Sequence, residues 1–416
     1  MAEVATSERL EATFREEWGR CIAAVARSVG DLGLAEDAVQ EAIASALRHW
    51  PRSGIPERPG AWLTTTARRH AIDRLRRETR RTDKEEAALR ELERVGPSAQ
   101  ANVYPVADDQ LRMIFTCCHP ALSAVAQVTL TLRLVCGLST TQIARAFLEP
   151  EPTTAQRVSR AKRRVRDAGI PLRIPDRQHL PERLAAVLAC VHLVYREGYA
   201  ATGSENLIRA SLCEEGRRLS GLLAELLPNE PEVLGLHALL LLQEARRPAR
   251  TTADGDLVLL EDQDRGAWDR SLIDEGIAVL DRAASRQRPG PYQLQAALAA
   301  EHARAPSWEA TDWPTIVALY EALQRHAPSP VVELNQAIAV AQLEGPAVGL
   351  EHIDAIDDAK LVRSHLFAAT RAEFLRQLSR EDQAREALRS ARDLAPTEAE
   401  RRFLTTKLEG LGTAEG

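Results

Sequence analysis

From residue 231 to residue 394 the chain repeats a single pattern. Pairs of segments with helical apolar spacing are separated by short turns, and Pro289, Pro328 and Pro396 mark where pairs end. The predicted segments are 231–247 with 269–284, 290–304 with 312–327, 330–344 with 346–357, and 361–378 with 381–394. The last pairs recur at roughly 34 to 35 residues, a period that suits stacked helical hairpins burying a continuous core. One irregular stretch, TTADGDLVLLEDQDRGAWD at 251 to 269, interrupts the series. Composition points the same way over the whole chain. Ala, Leu, Arg and Glu dominate, aromatics are only 4%, and clusters of β-branched residues are rare. The expected fold class is all-α.

The first part of the chain reads as helices over 8–82, a charged linker over 83–108, a second helical unit over 109–172, and then the hairpin region over 181–416. A break at Gly30–Gly33 precedes LAEDAVQEAIASAL, whose Ala38, Ile43, Ala46 and Leu47 are expected to face inward. WPRSGIPERPG (50 to 60) reads as a loop. Charge divides unevenly. Residues 1 to 175 carry a net +5 and the remainder −11, which suggests a nucleic-acid-binding half joined to an acidic half. No membrane partner is expected. The longest apolar run, LGLHALLLL at 234 to 242, is far short of a span. The opening MAEVATSERL has no apolar leader, and the six cysteines lack a disulfide spacing. A cytoplasmic location is the expectation.

The densest charge lies in TTAQRVSRAKRRVR (153 to 166), with six basic residues between Arg157 and Arg166 and no acid. Upstream, Ser139 with Gln142 forms one capping-box pattern, and Thr153 with Gln156 forms a second. Two short helices joined by the EPEP break predict a helix-turn-helix. At 100° per residue, Thr154, Val158, Ala161, Val165 and Ala168 share the inner side, able to pack on Ile143 and Phe147. Gln156, Ser159, Arg160, Arg163 and Arg166 fall opposite, with Arg157 on the flank. Amide, hydroxyl and guanidinium groups are the types that reach base edges and phosphates in a major groove. A second basic helix, RHAIDRLRRETRR (69 to 81), follows Trp62, an aromatic that either stacks on unpaired bases or packs in the core.

Other chemistry finds little support. Cys117-Cys118-His119 lacks ligand spacing for zinc and reads as buried thiols. No phosphate-loop, dinucleotide or nucleophile-elbow pattern occurs. LEDQDR (260 to 265) has carboxylates without a partner His and reads as a salt-bridged element ordering its loop. No metal, no cofactor and no enzymatic activity are expected.

The residues resemble a known family, the bacterial extracytoplasmic-function (ECF) sigma factors. DLGLAEDAVQEAIASAL (31 to 47) resembles the core-polymerase-binding region. PGAWLTTTARRHAIDRLRR (59 to 77) resembles the regions that melt and read the minus-10 element. LRLVCGLSTTQIARAFLEPEPTTAQRVSRAKRRVR (132 to 166) resembles region 4, which reads the minus-35 element. FTCCHPAL, LEDQDRGAWD, PGPYQLQAALAAEHA and SPVVELNQAIAV are similar to the subgroup with a tetratricopeptide-like (TPR-like) C-terminal extension. The resemblance implies core RNA polymerase and promoter DNA as partners. Glu36, Asp37, Gln40 and Glu41 would contact polymerase. Trp62, Arg68, Arg69, Arg74, Arg76 and Arg77 would serve the minus-10 element. Thr153, Gln156, Arg157, Ser159, Arg160 and Arg163 would serve the minus-35 element. The loop 50 to 60 would pocket a flipped base, and the hairpin half would offer a groove to a protein regulator. Two departures, Arg69 in place of the family's usual Asn and Ala155 in place of a basic residue, prevent transfer of a promoter sequence. The rival expectation is a helix-turn-helix regulator of duplex DNA with a TPR-like sensor.

Overall fold

The computed structural model describes residues 2–79, 106–147, 149–176, 178–199, 206–252, 256–357, 361, 364–395 and 398–411. Among these every regular element is helical, and the only extended pairing is an isolated antiparallel bridge between Thr251 and Leu257. The all-α expectation holds. Most of the predicted linker 83–108, with Arg80 and Arg81, lies outside the described residues. The chain forms two compact units, Met1–Val194 and Tyr195–Gly416.

In the first unit α1 (Ala2–Val29), α2 (Leu32–Ser53) and α3 (Pro59–Thr79) pack against one another, and α4 (Val106–Cys117) packs on α1. Gly30 takes a left-handed φ of 72° and donates to the Ala26 carbonyl, which stops α1. Asp31 then accepts from the Leu34 N–H at 2.7 Å and starts α2. The buried stripe of α2 runs through Ala35, Ala38, Val39, Ala42, Ala46 and Trp50. Leu47, expected inward, lies past the edge of that stripe and is 51% exposed. The helix also continues three residues beyond the predicted start of the loop. Trp50 is buried, stacks on Phe14 at 5.4 Å, and anchors a last turn that tolerates Pro51.

The remaining helices of this unit are α5 (Ala124–Leu134), α6 (Thr140–Ala146) and α7 (Glu151–Asp167), and α8 (Leu180–Tyr199) runs across the boundary between the units. A Cβ on Gly19 would overlap the Val135 carbonyl oxygen, so only glycine lets α1 approach the end of α5. Trp18 Nε1 donates to the Arg133 carbonyl across that contact at 3.1 Å. Cys117 and Cys118 are buried, as expected, and so are the other four cysteines. Thr131 lies between Cys118 (3.7 Å) and Cys190 (3.6 Å), and burial pushes the Cys117 thiol far up, so these thiols behave as inert core groups.

The second unit is a run of helices: α9 (Asn206–Leu226), α10 (Pro231–Ala245), α11 (Arg270–Ala284), α12 (Pro291–Arg304), α13 (Trp313–His326), α14 (Pro330–Glu344), α15 (Pro346–Asp354), α16 (His365–Gln377), α17 (Glu381–Leu394) and α18 (Glu398–Gly410). Most pack on adjacent helices, and α12 packs chiefly on α10 two helices back, which is the behaviour of stacked hairpins. Prolines occupy first-turn positions of α10, α12, α13, α14 and α15, where the missing N–H costs nothing. Gly235 permits a close crossing of α10 and α12, because a Cβ there would lie 2.7 Å from the Gln293 backbone nitrogen. The loop after α10 is ordered by Arg265. Its buried guanidinium donates to the His302 carbonyl and, at 2.8 Å, to the Ala305 carbonyl, and it lies 5.1 Å from the ring centre of Trp268. LEDQDR therefore orders its loop through its arginine, while Glu261 faces a cavity described below.

Candidate nucleic-acid interface

The helix-turn-helix is assembled from local signals. Ser139 and Gln142 form the predicted capping box reciprocally, with Ser139 N donating to Gln142 Oε1 at 2.8 Å and Gln142 N donating to Ser139 Oγ at 3.1 Å. The second predicted box does not form. Pro150 is the N-cap of α7, Glu151 opens the helix, and Thr153 already lies inside it. The reason is Pro152, whose fixed φ suits a first turn and starts the helix earlier than the Thr153 pattern indicates. Glu151 ties the two helices together by accepting from Thr140 Oγ1 (3.2 Å) and Thr141 Oγ1 (2.9 Å).

Along α7, Thr154, Val158, Ala161 and Val165 are buried, as the periodicity predicts. Ala168 is exposed instead, because it is the C-cap and the chain turns away at Gly169 (φ 59°). Thr153, Gln156, Ser159, Arg160, Arg163, Arg164 and Arg166 are exposed. Arg160 Nη2 donates to Gln156 Oε1 at 3.3 Å, so an amide and a guanidinium stand side by side on the open face. A shallow groove of about 340 Å3 runs beside them, between Leu122–Ser123 and the helix positions Thr153, Gln156, Arg157, Arg160 and Arg164. Arg157 has a different role from its neighbours. Both its Nη atoms reach the carboxylate of Glu149, at 2.5 and 2.6 Å, and Thr154 Oγ1 donates to the same group. That pairing holds the Glu149 carboxyl below the usual carboxylate range and raises the Arg157 guanidinium further. Arg157 thus fastens the turn to the helix.

The α3 residues separate into two groups. Trp62, Arg69 and Arg76 lie on one helical face, with Arg77 at its flank donating to the Asp73 carbonyl at 3.2 Å. Arg69, Arg76 and Arg77 are exposed. Trp62 is partly buried, edge-on to Trp50 at 5.4 Å, so it combines a packed side with an accessible one. Arg68 turns inward, toward Arg27 and Asp109. Burial and the Arg27 charge lower its pKa, and its buried Nε has no hydrogen-bond partner. Arg74 Nη1 binds Asp37 Oδ2 at 2.9 Å.

The predicted polymerase-contact residues on α2 are also divided. Gln40 and Glu41 are exposed, and Asp37 is partly so. Glu36 is 2% exposed. Arg133 of α5 holds its Oε1 at 2.6 Å, Lys162 of α7 pairs with its Oε2, and Gln40 Nε2 donates to it at 3.1 Å. A buried carboxylate needs such partners, and here the charged ones come from α5 and α7. In this arrangement Glu36 joins α2 to α5 and α7 and presents nothing to solvent. Sequence reasoning missed Arg133, Lys162 and Glu149 as organising residues. Arg133 lies 97 positions from Glu36, and no periodic pattern marks such a pair.

Parts of the chain are similar to known proteins. Residues 15–81, which contain α2, α3 and most of α1, match the model of sigma-70 region 2. A 170-residue stretch is 29% identical to a probable ECF RNA polymerase sigma factor, SigI, of Mycobacterium tuberculosis, covering 39% of this chain and 57% of that one. Over 398 residues, 94% of this chain and 93% of the relative, it is 45% identical to the uncharacterized protein R00370 of Rhizobium meliloti. The chain belongs to the ECF sigma-70 family. It is a member with a C-terminal extension, and residues 183–284 of that extension match a family of unknown function, DUF6596. No solved structure matches this sigma-family chain. Among its described residues no helix is long and apolar enough to cross a membrane.

Proposed function

We propose that the protein binds core RNA polymerase, directs it to promoters by reading minus-10 and minus-35 elements, and itself performs no covalent chemistry. One observation carries the reading. A helix packed through four small or apolar residues turns Gln156, Ser159, Arg160 and Arg163 to solvent, in the same unit as the exposed arginines Arg69, Arg76 and Arg77 of α3. Amide and guanidinium groups on an open helix face suit base edges and phosphates of a major groove. Arg69, Arg76 and Arg77 beside the half-buried Trp62 suit a strand whose bases have left the stack. Gln40 and Glu41 on α2 are the residues available to polymerase as the unit stands. Glu36 joins them only when Arg133 and Lys162 release it. The hairpin array is read as a TPR-like regulatory unit, supported by its repeat period and its neighbour-to-neighbour packing, and the cytoplasm is where these partners meet.

The test uses Gln156→Ala and Arg160→Ala in the full chain. Each should lower transcription from a cognate promoter about tenfold or more, the worth of a good base contact, while co-purification with core polymerase is unchanged. Normal transcription by both variants would overturn the assignment of the face. Failure of the parent chain to co-purify with core polymerase would favour a regulator that binds duplex DNA alone.

A further inference from the structure

The second unit holds a half-open cavity of about 400 Å3, walled by α12, α13, α14, α16 and α18 and flanked on one side by Leu257, Leu259 and Leu260. One wall is aromatic. Trp308 and Trp313 meet edge to face with centroids 4.6 Å apart. The His302 ring lies parallel to Trp308, 5.9 Å away, and edge-on to Trp313 at 5.7 Å. Aromatic faces carry negative potential and attract cations as well as flat apolar bodies.

Two polar features of this cavity are incomplete. His302 Nδ1 is buried and has no hydrogen-bond partner. Burial, with Arg246 and Arg265 nearby, lowers its pKa to about 4, so the ring is a neutral group with one nitrogen unused. The second feature is charge. Three carboxylates line the space, against one ammonium, that of Lys407. Glu373 is paired with Lys407 at 3.1 Å and with Arg376 at 2.6 Å, and Glu400 lies 3.4 Å from His365. Glu261, exposed at the mouth, has no ion-pair partner among the described residues.

We propose that this cavity is a binding site for a small amphipathic organic cation, an amine carried on a flat apolar ring body. The ring body would enter between the tryptophans and the loop leucines. The ammonium would remain at the wet mouth against Glu261. The cavity volume falls at the lower end of the range for small-ligand sites, about 300–1,000 Å3. Glu261 at the mouth, beyond the Glu373 pairs with Lys407 and Arg376, favours a cation there over an anion. The site does not depend on the promoter-recognition reading, because every residue in it belongs to the C-terminal unit.

Calorimetric titration of the full chain with tryptamine, and with indole-3-propionate as a ligand of similar size and opposite charge, tests the proposal. Tryptamine should bind one to one, and indole-3-propionate about tenfold or more weaker. Glu261→Gln, a substitution at an exposed position, should weaken tryptamine about tenfold without moving the thermal midpoint. Equal binding of the two compounds, no saturable binding of tryptamine, or unchanged tryptamine affinity in Glu261→Gln would each overturn it.

Discussion

Both units have apolar cores, and the first adds buried ion pairs that join its helices. In the first, buried carboxylates act as rivets. Glu36 joins α2 to α5 and α7 through Arg133 and Lys162, and Asp109, whose side chain is 5% exposed, binds Arg27 of α1 at 3.2 Å and Arg112 at 3.5 Å. In the second unit three clusters of buried apolar side chains join the helices, and its buried charged residue among those described, Arg265, orders a loop instead. The difference bears on function. A buried ion pair fixes where helices meet but tolerates no missing partner, which suits a unit that must present side chains in register. Apolar packing is more forgiving and can surround a space without losing its hold.

The largest expected effect breaks a rivet. Glu36→Ala leaves Arg133 and Lys162 facing a buried void without their anion, and should destabilise the first unit by about 3–5 kcal/mol. Peptide-level hydrogen exchange on the full chain checks this, because it reads each unit separately. Amides of α2, α5 and α7 should lose protection while those of α14 to α18 keep it. Unchanged protection in α5 and α7 would show that apolar packing alone holds the helix-turn-helix in place.

A second test sharpens the contrast through acid. The second unit contains two partly buried neutral histidines, His237 and His302, each lowered to about 4 by burial and nearby arginines. The unfolded chain takes up protons near pH 6.5, which the folded unit refuses until about pH 4. Stability contributed by these rings is therefore full above 6.5 and is lost as pH falls toward 4, by up to about 3 kcal/mol each. Glu373, held at about 2, and Glu149 of the first unit add losses that begin only below the ordinary glutamate range. His119 in the first unit is shifted the same way as those two rings, but it is less buried and its share is small. Scanning calorimetry between pH 7 and 4.5 should show the second unit's transition falling first. His302→Phe, which keeps a ring against Trp308, should flatten the profile.

What the sequence makes legible follows from range. The hairpin boundaries emerge because proline and apolar spacing act within a few residues. α14 (Pro330–Glu344) and α17 (Glu381–Leu394) have the limits their patterns predict. The buried stripe of α7 emerges for the same reason. Thr153 misleads as a cap because a proline one residue upstream competes with it, a local effect that the Ser/Thr–Gln pattern does not weigh. Long-range pairing is what stays hidden. Glu36 looks like one more surface acid on an amphipathic helix until Arg133 and Lys162 are placed beside it. Arg157 looks like a phosphate-binding residue until Glu149 takes both its Nη groups. The cavity is hidden most completely, since Trp308 and Trp313 are brought against a loop some fifty residues upstream only by the stacking of the array.

The smallest effect lies where the second unit does use a charge. α12 begins at Gly290–Pro291, which has no capping side chain of its own. Glu232 of α10 reaches across and accepts from the N–H groups of Tyr292 (2.9 Å) and Gln293 (3.2 Å), and from Gln293 Nε2 at 3.1 Å. A carboxylate there also meets the positive end of the helix dipole. Glu232→Ala should therefore cost about 1 kcal/mol, as caps generally do, and Glu232→Gln, which keeps an acceptor, about half of that. Urea denaturation followed through the second unit's tryptophans measures both. Because Glu232 is only partly buried and its partners are neutral amides, its loss leaves no stranded charge, unlike the loss of Glu36. If Glu232→Ala proved as damaging as Glu36→Ala, the second unit would depend on a charged contact as much as the first, and the contrast between rivets and packing would fail.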